Sequence, residues 1–304
     1  MTKNTHLPHP EDEILTGNLD VLEALYSHGN VSLKIDGCPA IVWGTNPVTG
    51  NFFVGTKSVF NKKKLMINET HEDIEVNHGH QVSVAHILHV CLDHLPHTSH
   101  IIQGDFIGES GSNIYRPNVI TYMFPEVVKE LLIIAPHTIY TTETTLAEAV
   151  VEPSISYVQL LLMEMLDDTP EVKWVQPSVD YIYKSQTPPL INYKDIKFLT
   201  KKEAEEAKKS INKIISDGYE LTDSKLFDIL GCAKLVNLYQ LVIEIKNELM
   251  ESFIVTDSPK AFLDDDGYFE VSGEGFVLHT IYGSYKLIDR ETFSYVNFNC
   301  SKFS

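Results

Sequence analysis

Val31-Ser32-Leu33-Lys34-Ile35-Asp36-Gly37-Cys38-Pro39-Ala40-Ile41-Val42-Trp43 is an apolar run with one lysine and one aspartate set into it. Period-two alternation puts Val31, Leu33 and Ile35 on one side of a strand and Ser32, Lys34 and Asp36 on the other. Lys34 and Asp36 are therefore expected to share a surface, beside a glycine, Gly37, that permits close backbone approach or a positive φ. A lysine partly stripped of water loses proton affinity and becomes a usable nucleophile, more so beside a metal ion or a second cation. That is how a covalent lysyl intermediate begins; the plainer reading is a structural strand lysine next to a turn.

Other stretches follow in a telling order. Asn51-Phe52-Phe53-Val54-Gly55-Thr56-Lys57-Ser58 reads as the second strand of a hairpin begun at the opening run and closed through Thr45–Gly50. Ile101-Ile102-Gln103-Gly104-Asp105-Phe106 is an apolar strand with Gly followed by an acid, seventy-one residues after Lys34. Gly273-Glu274-Gly275-Phe276-Val277-Leu278 and Tyr285-Lys286-Leu287 come near the C-terminus.

In this order the stretches around Lys34, Asp105, Glu274 and Lys286 resemble motifs I, III, IV and V of the covalent nucleotidyltransferases, the ATP-dependent DNA ligases, RNA ligases and mRNA capping enzymes. Leu7–Glu13, Phe52–Val54 and Lys286–Ser294 are also similar to a family of tailed-phage proteins, which implies a phage origin. The resemblance implies an α+β domain with antiparallel sheets around an ATP pocket, closest to the RNA-ligase-like branch. It further implies that Lys34 attacks the α-phosphate of ATP to form lysyl-AMP, and that AMP passes to a 5′-phosphorylated nucleic-acid end, RNA rather than DNA. By the same resemblance Glu274, with Asp105, holds Mg²⁺ (or Mn²⁺), Asp105 alternatively meeting the ribose. Lys286 contacts the α-phosphate, Asp36 and Gly37 line the nucleotide, and Lys57 meets a phosphate of ATP or of the acceptor. Tyr122 or Phe124 stacks on the base, unless either is a core aromatic.

The sequence departs from the family in three places. Pro39 stands where DNA ligases carry Arg, and Asp105 stands where Glu is usual. Ser284 and Ile288 flank Lys286 where a second lysine is expected, leaving Arg290, Arg116 and Lys57 as candidates for the missing phosphate contact. Only eighteen residues follow Lys286, too few for a C-terminal OB fold.

Composition narrows the partners. A net charge of −18 over 304 residues argues against broad binding to nucleic-acid backbones, whose affinity rests on Lys and Arg at phosphates. Lys57, Lys62, Lys63 and Lys64 nonetheless cluster near Lys34, leaving room for a local basic groove. No long apolar segment or leader-like N-terminus is present, so a cytoplasmic location (a host's cytoplasm for a phage protein) and no membrane are expected. Four scattered cysteines, Cys38, Cys91, Cys232 and Cys300, give neither a disulfide framework nor a zinc pattern. Seven histidines lie at positions 78, 80, 86, 89, 94, 97 and 100; His86 and His89 have a spacing compatible with a shared metal, but no zinc motif is completed.

Along the chain, helices are expected at Asn18–Ser27, Val82–Leu95, Ser154–Leu166 and Lys201–Asp217, and over Asp223–Met250 with a break near Gly231. Ile114–Phe124 reads as strand. Residues 1–145 and 253–304 are expected to form two parts of one nucleotidyltransferase domain, with 146–252 a helical insertion. Glu270–Leu278 and Ser284–Ile288 are expected to pair through Tyr282-Gly283, setting Glu274 and Lys286 across from one another.

Overall fold

A computed structural model describes residues 7–152, 169–181, 194–264 and 268–299. The opening run breaks in two. Its first half is strand β1 (Asn30–Lys34), preceded by helices α1 (Pro10–Glu13) and α2 (Asp20–Tyr26); its second half is β2 (Ala40–Thr45), which returns as β3 (Phe52–Gly55). Helices α3 (His71–His78) and α4 (Val82–His94) lead to β4 (Ile101–Glu109), the short strands β5 (Ile114–Tyr115) and β6 (Ile120–Met123), and β7 (Leu132–Thr141). After β8 (Val150–Val151), β9 (Val172–Trp174) and β10 (Ser178–Tyr181) come helices α5 (Lys201–Ser216), α6 (Asp223–Leu230) and α7 (Ala233–Glu251). Strands β11 (Phe253–Thr256), β12 (Lys260–Asp264), β13 (Tyr268–Val271), β14 (Gly275–Thr280) and β15 (Gly283–Leu287) precede helix α8 (Arg290–Asn299). The protein is α+β, and its strands pair antiparallel except for β7 with β9 among the described pairs.

Contacts divide the chain into two compact units, and one of the passages between them falls between Lys34 and Ile35. Unit 1 holds the described parts of Ile35–Gln176 with Ser258–Phe262; unit 2 holds those of His6–Lys34, Pro177–Asp257 and Leu263–Ser304. This division differs from the expected boundaries at 145 and 252. The helices after residue 200 share a unit with the N-terminal segment because α7 packs on α1 and α2, and buried Lys246 of α7 donates to Glu11 Oε1 at 2.9 Å and to the Ile288 carbonyl at 2.9 Å. The expected helix over Ser154–Leu166 lies outside the described residues.

Unit 1 is built on the sheet β3-β2-β4-β7-β8. All four residues of Ala40-Ile41-Val42-Trp43 are apolar because both faces of β2 are covered. Ile41 and Trp43 join Ile102, Ile134 and the α4 residues Leu88 and Cys91 in one core, whereas Val42, Phe53, Ile101 and Tyr140 form the other. Helix α3 begins at a capping box in which Thr70 and Asp73 satisfy each other's backbone amides.

Unit 2 combines the helices with the sheet β1-β14-β15. A second capping box, Thr200 with Glu203, starts α5, and Gly231 at φ 66° ends α6 in the left-handed region. In unit 1, of the expected strand over Ile114–Phe124, only β5 and β6 form; residues 116–119 turn between them so that Ile114 pairs with Met123 and Tyr115 with Tyr122.

Candidate functional site

Strands β1, β14 and β15 come from opposite ends of the sequence. Lys34 pairs with Gly275, Ser32 with Val277, and Val277 in turn with Lys286. Residues opposite one another in an antiparallel ladder project to the same face. One face therefore carries Ser32, Lys34, Val277 and Lys286, while Val31, Leu33, Phe276, Leu278, Tyr285 and Leu287 are buried on the other. Strand β15 packs that apolar side toward α1, α2 and α7. The alternation expected for Val31–Lys34 is thus present. It stops at Lys34, where β1 ends, so Asp36 does not continue the lysine's strand face.

Glu274 sits one residue before β14. Its backbone N–H donates to the Lys34 carbonyl at 3.1 Å, and its Oε2 accepts from Lys34 Nζ. The two side chains are 30% and 12% exposed, so the pair is only partly screened by water. Flanking glycines make this approach possible. A Cβ on Gly275, whose φ is +146°, would stand 2.3 Å from the Leu287 carbonyl oxygen, and one on Gly273 would stand 3.1 Å from that of Lys34. Burial pushes the Lys286 ammonium below its usual value; Glu274 opposes this and the charge of Lys34 adds to it. Farther along the same face, His279 Nδ1 meets Ser284 Oγ at 2.8 Å. Sequence reading missed His279 and Ser284, although the alternation that selects Val277 and Lys286 extends to both.

The remaining sequence-selected residues belong to unit 1. Gly37 makes the expected close approach without a positive φ: a Cβ there would lie 2.4 Å from the Phe106 carbonyl oxygen. Asp36 accepts from Asn118 Nδ2, and its backbone N–H donates to the Tyr122 hydroxyl at 2.8 Å. Tyr122 is fully buried, and Phe124 is buried with its ring edge-on to Tyr115. Asp105 lies in β4, 3.7 Å from His137 Nε2. Lys57 is exposed and opens a 3₁₀ turn, Lys57–Phe60, whose Val59 is buried. Of the substitutes considered for the second phosphate-binding lysine, Arg290 is committed elsewhere: it is buried and donates to Asp12 Oδ1 at 2.7 Å and to Asn212 Oδ1 at 2.8 Å.

Among the described residues no three His, Cys, Asp or Glu side chains converge as a metal cage. A single carboxylate such as Glu274 suits Mg²⁺ that keeps waters and arrives with substrate phosphates, the usual mode for that ion. The spacing of His86 and His89 does not produce a shared site, because His86 Nε2 turns to Glu109 Oε1 at 2.9 Å. Among the described residues no helix is long and apolar enough to cross a membrane.

A family model described as a family of unknown function, DUF6267, matches residues 4–228 and 191–302. No curated protein and no solved structure matches the chain.

Proposed function

The chain belongs to the DUF6267 family, and from that premise we propose that it is a covalent nucleotidyltransferase of the RNA-ligase-like kind, with ATP as donor and Lys34 as nucleophile. One observation carries the reading. Three strands distant in sequence bring two lysines and one carboxylate to a single polar face, with Lys34 and Glu274 in contact across 240 residues.

Lys34, as the neutral amine, attacks the α-phosphorus of ATP; an N–P bond forms, the bond to the pyrophosphate oxygen breaks, and the proton shed by the nitrogen passes to solvent. Displacement at phosphorus needs positioning and neutralisation of charge more than acid-base work. Lys286 supplies a cation for the α-phosphate, and Glu274 holds the Lys34 ammonium until nucleotide arrives. Mg²⁺, when bound at Glu274, supplies further charge neutralisation on the phosphates. An oxygen of the 5′-phosphate at a nucleic-acid end then takes the AMP, forming a P–O–P bond as the N–P bond to Lys34 breaks, and the 3′-hydroxyl of a second strand end attacks that 5′-phosphorus and expels AMP to seal the break.

A second reading differs in the acceptor. The net charge of −18 favours a protein or small-molecule acceptor over a polyanion. Both readings are tested by incubating the wild type and Lys34→Ala with Mg²⁺ and α-labelled ATP, GTP or NAD, followed by intact-mass analysis. An added AMP on the wild type alone is expected, and its release by 5′-phosphorylated RNA but not by protein selects the ligase. No adduct with any donor, on folded protein not already adenylylated, overturns both readings in favour of a nucleotide-binding protein that does not turn over.

A further inference from the structure

Helices α3 and α4 pack side by side in unit 1, and their exposed surface holds a four-residue arrangement apart from the lysine face. His71 Nδ1 and His89 Nδ1 are 2.7 Å apart. The other nitrogen of each ring faces a carboxylate: His71 Nε2 meets Asp93 Oδ1 at 3.1 Å, and His89 Nε2 meets Glu75 Oε1 at 2.8 Å. The ring centroids are 4.9 Å apart and the planes differ by 28°. With the Nδ1 atoms at 2.7 Å, that separation sets the two nitrogens on the line between the rings, edge to edge.

Ionised carboxylates only accept hydrogen bonds, so each Nε2 carries the proton of its ring. A neutral imidazole so oriented has its lone pair on Nδ1. With both Nε2 atoms facing carboxylates, two Nδ1 atoms 2.7 Å apart need either a shared proton or a metal ion between them. A histidine whose far N–H is held by a carboxylate is also the usual state of a metal-bound imidazole, since the carboxylate fixes the tautomer and raises the basicity of the ligating nitrogen. Here both rings have that support, one acid from each helix.

We propose that His71 and His89 form a surface site for an imidazole-preferring divalent transition-metal ion such as Zn²⁺, with Asp93 and Glu75 orienting the two ligands. Tetrahedral Zn²⁺ with Zn–N of about 2.0 Å needs the nitrogens about 3.3 Å apart. The His71 side chain is 54% exposed, so it can rotate outward to that spacing without disturbing the core. Two nitrogens come from the protein, and water completes the shell. Bound metal ties α3 to α4.

The test uses full-length protein without a histidine tag, stripped with chelator and titrated calorimetrically with Zn²⁺ alone. One saturable site per chain is expected. His71→Ala and His89→Ala each weaken it at least about tenfold, as does Glu75→Gln or Asp93→Asn, since loss of such supporting carboxylates costs about 10- to 100-fold. His86→Ala, which removes a histidine bonded to Glu109, leaves the affinity unchanged. Circular dichroism of each variant separates lost ligands from lost fold. Absence of saturable binding, showing that only a proton is shared, overturns the proposal. Undiminished binding by a folded His71→Ala/His89→Ala double variant, showing adventitious Zn²⁺ elsewhere, overturns it equally.

Discussion

Lys34 and Glu274 each explain the other's environment. A lysine side chain 30% exposed beside a carboxylate 12% exposed is an ion pair that a nucleotide's phosphates and their cation can replace, charge for charge. Under the proposed reaction the two residues fail in different ways. Lys34→Ala removes the attacking atom, so no adduct forms at any ATP concentration. Glu274→Gln keeps the size of the side chain but removes its charge; formation of the adduct is expected to slow at least tenfold, equivalent to about 1.4 kcal/mol in the barrier. Single-turnover incorporation of label from α-labelled ATP, on protein shown to be folded, measures both. A Glu274→Gln rate equal to that of the wild type would remove this carboxylate from the proposed mechanism. The sequence pointed to these two residues through motif order, whereas the roles of Asp36 and Tyr122 were illegible at that level. Whether a strand continues for two more residues depends on a partner that no local pattern encodes, and β1 stops where its ladder with β14 stops.

At the scale of elements, regular periodicity was legible and pairing was not. The helices at Val82–His94 and Lys201–Ser216 and the break at Gly231 follow from apolar spacing and caps within a few residues, so reading and structure agree. The Val31–Trp43 run looked continuous because one of its halves is half-buried and the other is covered on both faces, and both compositions are apolar. Glycines mark where the pairing is tight. Gly275→Ala would put a Cβ 2.3 Å from the Leu287 carbonyl at φ +146°, a conformation L-residues rarely adopt. Overpacking of this sort costs about 1–3 kcal/mol, so the urea midpoint should fall, and the Lys34–Glu274 pair should be disturbed with it. Gly37→Ala, with its Cβ 2.4 Å from the Phe106 carbonyl, should destabilise by a similar amount. Unchanged midpoints in both variants would show that the two close approaches are easily relaxed.

The composition of whole units was the least legible level, because it depends on buried charges that the sequence shows only as charged residues. Glu11, Asp12, Lys246 and Arg290 are all nearly inaccessible, and they tie α1 to α7 and to the start of α8. Breaking such a pair by removing one partner typically costs about 3–5 kcal/mol, which is the expected loss for Lys246→Ala in chemical denaturation. Two histidines make unit 2 sensitive to acid. Burial, with the charges of Lys286, Arg290, Lys246 and Lys208 adding to it, lowers His9 from 6.5 to about 2, and burial lowers His279 to about 4. Both are neutral in the folded protein at pH values where the unfolded chain binds a proton on each. At these two sites the unfolded state therefore holds more protons below pH 6.5, and their contribution to stability falls as pH drops from there to about 4, by up to about 1.4 kcal/mol per pH unit for each histidine. Below about 4, His279 protonates in the folded state as well, and only His9 continues to contribute. His279→Gln should flatten the dependence of the denaturation midpoint on pH between 6.5 and 4.5, and adding His9→Gln should flatten it further. A His279→Gln variant whose midpoint keeps the wild-type dependence on pH would mean that the fold does not hold this imidazole neutral.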